Sequence, residues 1–381
     1  MKLKKSKNYE NVYSYETQKG IVWAVRFNYY DLDGQRREKQ IRGIRTEKLA
    51  HKAELALEVK YVNNDIQQIM DSSMTVTQWI QQFVDLNIDH WRPATKILYH
   101  NCFNRYVIPL IGEQQLDHLT RPKYQRMFIK PLLKKLAPVT VANHHRIVMV
   151  LINSAVENDV LAKNKLRGIK IPKGEPRKAF SPDDLAKFNA YLPRLKPEFQ
   201  TIFTLLELTG MRLGESLALT WADIDFKGKT IHITKSRNAL GTGPTKTAAG
   251  IRKISMPASL IKALKHYELV QKKMCLHSKL TFDVKHLVFT SITHNTPAST
   301  AGVGFNFHKA LEGAGIDSKK YVVHCLRHTH ATYLLNSGIN PADVAKRLGH
   351  SNANVTLGIY AHSLDQNDAA IAVKIDQIIA I

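Results

Sequence analysis

Residues 167–180 run Arg-Gly-Ile-Lys-Ile-Pro-Lys-Gly-Glu-Pro-Arg-Lys-Ala-Phe, mixing proline, glycine and charge with no apolar period. Such a stretch carries no helical or strand period and reads as a linker between domains. At 381 residues the remainder is long enough for two or three domains, each able to fold without disulfide staples. The expected division is a module at 1–62, a second domain at 74–166, a linker at 167–180 and a third domain at 181–381.

The first module reads as a small sheet. Apolar and aromatic residues alternate in Val12–Tyr15, Ile21–Phe27 and Arg36–Ile41, around Gly20 and Asp33-Gly34. Asp-Gly between alternating runs is a hairpin signal, which predicts a three-stranded antiparallel sheet. Thr46 then caps a helix bearing Leu49, Ala53, Leu57 and Tyr61. Beyond a polar stretch at 63–73, Thr75 or Thr77 can cap a helix with Trp79, Ile80, Phe83 and Val84 on one face. Apolar helical spacing returns in Ile97–Ile108, Tyr124–Leu136 and Val139–Val156, punctuated by Pro93, Pro109, Gly112, Pro122 and Pro138, which predicts four or five helices. Ser181-Pro182-Asp183-Asp184 opens the third domain as N-cap, N1 proline and acidic first turn. That domain reads as mostly helical, with one β-hairpin formed by Thr230–Thr234 and Ile251–Met256 around a Gly241/Gly243/Pro244 loop. The fold class expected is thus multidomain and mainly α: a small sheet plus helix, a helical domain, and a mixed, mostly α domain.

Charge narrows the partner. Lys plus Arg number 55 against 32 Asp plus Glu, a formal net charge of +23. Residues 90–178 hold 17 of the basic and 5 of the acidic side chains, just over half of the excess in under a quarter of the length. Residues 1–60 hold 14 against 8. Such a chain expects a polyanion, because each phosphate neutralised releases counterions. No run approaches the roughly 20 apolar residues of a membrane span, and Met1–Asn8 is basic with no apolar run behind it, so neither a membrane nor a secreted protein is expected. Cys102, Cys275 and Cys325 are odd in number and far apart, which fits a reducing cytoplasm better than a disulfide framework or a thiolate zinc site.

Three stretches of the last domain carry chemistry. Arg212 follows a glycine helix stop in Thr209-Gly210-Met211-Arg212-Leu213-Gly214-Glu215, where alone it reads as a structural ion pair with Glu215. His324 and Arg327 lie at i and i+3 on one helix face. Leu348-Gly349-His350 ends a helix begun by Asn340-Pro341, and Tyr360 follows ten residues later on another short helix. A phosphodiester unites them. A tyrosine oxygen can attack phosphorus, provided its phenol, with a pKa near ~10, is helped to lose its proton. Arginine forks match the non-bridging oxygens on which charge develops. Histidine, or a lysine of lowered pKa, can supply the proton for a leaving ribose oxygen.

In this order and context, Arg212, His324-x-x-Arg327, His350 and Tyr360 resemble the tyrosine recombinases, or phage integrases. The loop Thr245-Lys246-Thr247 before Ile251-Arg252-Lys253-Ile254 resembles the family's β-hairpin lysine, which gives Lys246 that role with Lys235 as rival. The resemblance implies that the arginines and His350 support the scissile phosphate, that His324 moves protons, that Lys246 is the acid, and that Tyr360 becomes joined to a 3′-phosphate. Glu215 then orients the site. Residues 75–165, notably Tyr106-Val-Ile-Pro109-Leu-Ile-Gly112, resemble the family's core-binding domain, and residues 1–62 its arm-binding sheet. Val323-His324-Cys325 departs from a common Thr-His-Asp, removing a carboxylate near the site.

The activity so implied is integration or excision of a mobile element from a phage or conjugative transposon, through a phosphotyrosyl intermediate and a Holliday junction. Implied partners are double-stranded DNA with core-type and arm-type sites, a homotetramer on DNA, an excisionase and a DNA-bending host protein, in the bacterial cytoplasm. No cofactor and no metal is expected: bond energy is conserved in the phosphotyrosine, and no Gly-x-x-x-x-Gly-Lys-Ser/Thr loop is present. His324, His328, His330 and His350 lack a familiar ligand spacing. Tyr29, Tyr30 and Tyr321 read as packing residues, Tyr333 as the rival nucleophile, and His328 and His330 as structural. Asp365–Ile381 carries enough apolar surface to need a cover, on its own domain or a neighbouring protomer. The alternatives are a dimer resolvase of the same chemistry and a DNA-binding relative that does not cut.

Overall fold

The computed structural model describes residues 3–18, 20–30, 34–62, 74–172, 178–245, 247–290 and 296–350. Two compact units, Met1–Glu175 and Pro176–Ile381, divide the chain.

The first unit opens with an antiparallel sheet of strands β1 (Lys4–Lys5), β2 (Val12–Thr17), β3 (Gly20–Tyr30) and β4 (Arg36–Ile44), in that order. Sequence pattern led to three strands; the fourth, β1, is two residues long and too short to carry any alternation. Register pairs Val12 with Val25 and Val25 with Ile41. Period-two alternation in β3 sends Val25, Phe27 and Tyr29 to one face, where they pack with Val12 and with Ala50 and Leu57 of α1 (Glu47–Val62). Thr46 caps α1, its hydroxyl accepting from the Leu49 amide at 3.3 Å. Tyr29 is buried as expected, but Tyr30, next in the alternation, is 57% exposed. The expected Asp33-Gly34 turn lies partly outside the described residues.

A separate cluster forms the helical part of the unit. Thr75, not Thr77, is the N-cap of α2 (Val76–Asn87), in a reciprocal capping box with Gln78. Trp79 is buried, its indole N–H donating to the Leu151 carbonyl of α7 (Pro138–Glu157) at 2.9 Å. Between them, Pro109 does not break the chain as its type suggests. Helix α3 (Pro93–Cys102) runs through a π-turn, Phe103–Val107, into α4 (Ile108–Ile111). Helix α5 (Arg121–Tyr124) passes likewise through Gln125–Ile129 into α6 (Lys130–Leu133), which contains Pro131. In both, the wider turn sits just ahead of a proline, which lacks the amide and crowds the preceding carbonyl of a regular helix. The helix widens where a kink would otherwise be required.

The second unit is built on one large core. Ser181 caps α8 (Pro182–Tyr191), accepting from the Asp184 amide at 3.3 Å. Helix α9 (Pro197–Thr209) follows, then the single-turn α10 (Leu213–Ser216). Strands β5 (Ile224–Asp225), β6 (Thr230–Ile233) and β9 (Arg252–Ser255) make a sheet, with Ile231 opposite Ile254. This is the expected hairpin pairing. What the pattern reads as its loop contains a second hairpin, β7 (Lys235–Asn238) with β8 (Gly241–Pro244), paired from Lys235–Pro244 to Asn238–Gly241. Glycine-rich strands show no hydrophobic period, which hides them from pattern reading. Helices α11 (Ala258–His277), α12 (Thr300–Gly313), α13 (His324–Asn336) and α14 (Pro341–Leu348) complete the unit. Phe188, Phe203 and Phe307 sit fully buried at its centre. Ala331 and Leu335 of α13 pack on Val344 and Leu348 of α14. Among the described residues no helix is long and apolar enough to cross a membrane.

Gly210 ends α9 in the left-handed region, φ 65°, its amide bonded to the Leu206 carbonyl at 2.9 Å. A methyl there would lie 2.6 Å from Cδ2 of both His330 and Leu348. Gly210→Ala is therefore expected to lower the unfolding free energy of the second unit by about 2–4 kcal/mol, from backbone strain and overpacking together. Urea unfolding measures this; a loss below about 0.5 kcal/mol, within the usual surface range, would mean that the turn is not held by its neighbours.

Candidate active site

The sharp turn at Gly210 delivers Arg212 to the N-cap position of α10. Glu215, one turn on, reaches back: Oε2 accepts from the Arg212 amide at 2.9 Å and Oε1 from Arg212 Nη1 at 2.7 Å. Glu215 is only 2% exposed and serves a second cation, accepting from Arg252 Nη2 at 2.9 Å. Burial pushes the Glu215 carboxyl upward, but the bond and charge of Arg252 and the two bonds from Arg212 outweigh it and hold the pKa below the usual range.

Arg327 enters from α13, buried at 4% exposure. Its Nη1 donates to the Gly210 carbonyl at 2.8 Å, at the turn that sets Arg212. Nη2 is buried and, among the described residues, has no partner. Burial first, then the charges of Arg212 and Arg252, lower its pKa to about 9, with Glu215 pulling the other way. An arginine that loses stabilisation of its charge sits in a recess where positive charge exceeds negative.

The end of α14 closes this recess. Asn340 caps the helix through the Ala342 amide at 2.9 Å, and Gly349 ends it with φ 70°. The His350 amide turns back onto the Ala345 carbonyl at 3.0 Å, while Arg212 Nη2 donates to the Gly349 carbonyl at 3.2 Å. Burial, then Arg327, Arg212, Arg252 and His328, lower the His350 imidazole to about 4, so it is neutral near pH 7. His324 lies exposed at the start of α13, its ring edge-on to His328 at 4.9 Å.

The fold thus brings together Arg212, His324, Arg327 and His350 from three separated segments. Lys246 and Tyr360 lie outside the described residues, as does the tail Asp365–Ile381. Lys246 is flanked by Thr245, buried and donating to the Thr247 carbonyl at 3.0 Å; its rival Lys235 is exposed in β7. Tyr333, the rival nucleophile, is raised in pKa by burial, Glu207 and Tyr321, surroundings that oppose a phenolate. His330 is structural: Nδ1 meets the Glu207 carbonyl at 2.8 Å and Nε2 accepts from Arg347 Nε at 3.1 Å. Cys325 points into the core, its sulfur accepting from the Val322 amide at 3.4 Å.

Sequence reading named Arg252 only as context for the lysine and passed over Arg347. A signal existed for the first. Arg252 shares a strand face with Ile254, which is buried, and a cation on the inward face of a strand requires a partner.

The chain is similar to known proteins over most of its length. The phage integrase family model matches residues 178–367, and an arm DNA-binding domain model matches residues 11–61. A tyrosine recombinase XerC-like protein of Caldanaerobacter subterraneus subsp. tengcongensis is 29% identical over 330 residues, covering 79% of this chain and 81% of its own length. The Tn1549 transposon integrase bound to transposon right end DNA has the same fold, with TM-score 0.69 and 22% identity over 81% of this chain and all of that one. A lambda integrase tetramer bound to a Holliday junction superposes with TM-score 0.59 and 16% identity, over 91% of this chain and 97% of that one. The likeness therefore runs beyond the four gathered side chains to the domains on either side of the linker, and the chain belongs to the phage integrase family, the tyrosine recombinases that break and rejoin DNA at specific sites.

Proposed function

We propose that this chain is the integrase of a mobile element, joining and separating attachment sites through a covalent bond between Tyr360 and a DNA 3′-phosphate. The observation that carries the reading is the buried Nη2 of Arg327, unpartnered among the described residues and close enough to feel the charges of Arg212 and Arg252, which share the carboxylate of Glu215. Such an excess is unfavourable in a desolvated recess until an anion enters, and a phosphodiester supplies the anion with oxygens matched to guanidinium forks. Arg212 and Arg327 bind the non-bridging oxygens, on which charge grows as phosphorus becomes five-coordinate.

In the forward step the Tyr360 phenol gives its proton to His324 as its oxygen attacks phosphorus, the bond to the ribose 5′-oxygen breaks, and that oxygen takes a proton from Lys246 as the acid. His350, neutral at pH 7, offers a hydrogen bond without adding to the positive excess, and His324 assists proton transfer. A 5′-hydroxyl from the partner strand reverses the chemistry, so bond energy is conserved and no nucleotide cofactor is needed. Residues 74–166 grip the core site with the charge excess of that segment, and residues 1–62 grip arm-type sites, with Arg36, Arg37 and Arg42 exposed on β4. The arm-domain match at 11–61 favours element integration over resolution of a single DNA molecule. Four copies act on a Holliday junction, as in the lambda structure, in the bacterial cytoplasm, with an excisionase and a bending protein setting direction.

Three outcomes test this reading. Incubation with a nicked duplex carrying the repeat recovered from DNA flanking the gene should give a detergent-resistant adduct, and Tyr360→Phe should abolish it while retaining DNA binding. An adduct that persists in the variant moves the nucleophile elsewhere. Arg327→Lys should slow single-turnover cleavage by about 10²–10³-fold, since a point charge cannot replace the fork. Acid stability provides the third. His350 and His330 both have folded pKa values of about 4 against an unfolded value near 6.5, so the unfolded chain binds more protons between those limits. Stability is then full above pH 6.5 and falls as pH drops toward 4. Thermal melts across that window, with His350→Gln flattening part of the decline, check the sign.

A further inference from the structure

Every polar atom of the Arg252 guanidinium is committed inside the protein, although the residue lies beside a site that binds anions. Nε donates to the Arg347 carbonyl at 2.7 Å, Nη1 to the Gly250 carbonyl at 3.0 Å and Nη2 to Glu215 Oε2 at 2.9 Å. Its side chain is 7% exposed. These three acceptors belong to three pieces of the site: the end of α14 leading to His350, the loop that carries Lys246, and the carboxylate that holds Arg212. A methyl at Gly349 would lie 2.9 Å from Nη1 and 3.2 Å from Cδ of Arg252, so the side chain passes directly against the residue before His350.

The charge balance is as telling as the geometry. A buried carboxylate with Arg212 as its sole cation would pair fully with it, leaving Arg212 little net charge to offer a phosphate. With Arg252 on Oε2, Glu215 divides its charge between two cations. Arg212 stays oriented by Oε1, yet its charge is only partly offset, and its Nη2 edge reaches across to the Gly349 carbonyl at 3.2 Å. Lysine could supply the charge at position 252, but its donors share one nitrogen and cannot reach three acceptors set around the three nitrogens of a planar guanidinium.

We propose that Arg252 is a positioning residue for strand cleavage: through Glu215, the Gly250 carbonyl and the Arg347 carbonyl it fixes Arg212, the Ala248–Gly250 turn and His350 in one arrangement, without itself touching DNA. The inference rests on the integrase reading above. It places the demand for a guanidinium on the transition state and not on DNA affinity, because the groups it aligns act on the phosphorus oxygens while most of the charge excess of residues 90–178 lies in the other unit.

Single-turnover cleavage of the nicked attachment duplex, measured alongside DNA affinity and thermal unfolding, tests it in the Arg252→Lys, Arg252→Gln and Glu215→Gln single variants and in the Glu215→Gln/Arg252→Gln double variant. Wild-type adduct formation must be seen first; its absence defeats the integrase reading itself. Given that adduct, Arg252→Gln should cleave about 100-fold and Arg252→Lys about 10-fold more slowly, with DNA affinity within about 2-fold of wild type. Removing Arg252 when Glu215 is already neutral should cost less than the same change in wild type, because the two act as a unit. If Arg252→Gln fails to fold, Arg252→Lys decides by the same rate. Cleavage by folded Arg252→Lys at the wild-type rate, a loss appearing as weaker DNA binding, or full additivity with Glu215→Gln would each overturn the proposal.

Discussion

A carboxylate 2% exposed, shared by two arginines, is the contact on which the rest of the catalytic unit turns. Glu215 takes one cation from its own helical turn and another from a strand 37 residues later. Burying a lone carboxylate is costly, and its desolvation is offset only where charged donors meet both oxygens with good geometry. Once that is done, the turn after α9 and the start of β9 cannot move independently. Arg327 then joins them by donating to the Gly210 carbonyl, and α14 is joined through Arg252 and Arg212. Four segments far apart in the chain become one rigid surround for an anion.

The surround is stable in spite of its electrostatics, not because of them. Burial first, and then the neighbouring arginine charges, lower the pKa of Arg327 to about 9 and of His350 to about 4. What holds the cations in place is apolar packing behind them: Cys325 and Leu326 in the main core, and the small cluster of Ala331, Leu335, Val344 and Leu348 that seats α14 on α13. Packing of this kind fixes Arg212, Arg327 and His350 without help from a ligand.

The first unit was legible where local rules act alone. The Thr75 capping box and the alternation of Val25, Phe27 and Tyr29 are short-range, and both are present in the fold. Pattern reading failed where the backbone found an answer that side-chain periodicity does not encode. Pro109 looks like a break, yet it follows a π-turn that removes the conflict with the preceding carbonyl. Strands β7 and β8 carry glycine, proline and polar residues, so their pairing leaves no hydrophobic trace. Strand β1 is two residues long and needs β2 as a template.

The sequence by itself determined the partner class, through its cationic excess, and the chemistry, through arginine, histidine and tyrosine in an order that fits attack on a phosphodiester. It also determined the turns that aim those side chains, because Gly210 and Gly349 take backbone angles that other residues adopt only with strain. Only the tertiary structure decided that Glu215 is shared between Arg212 and Arg252, that the Arg252 guanidinium is spent on internal acceptors, and that Arg327 has a donor without a partner among the described residues. Those outcomes depend on which carbonyls and carboxylates lie within about 3 Å of a guanidinium, a distance fixed by packing between segments more than a hundred residues apart in the chain.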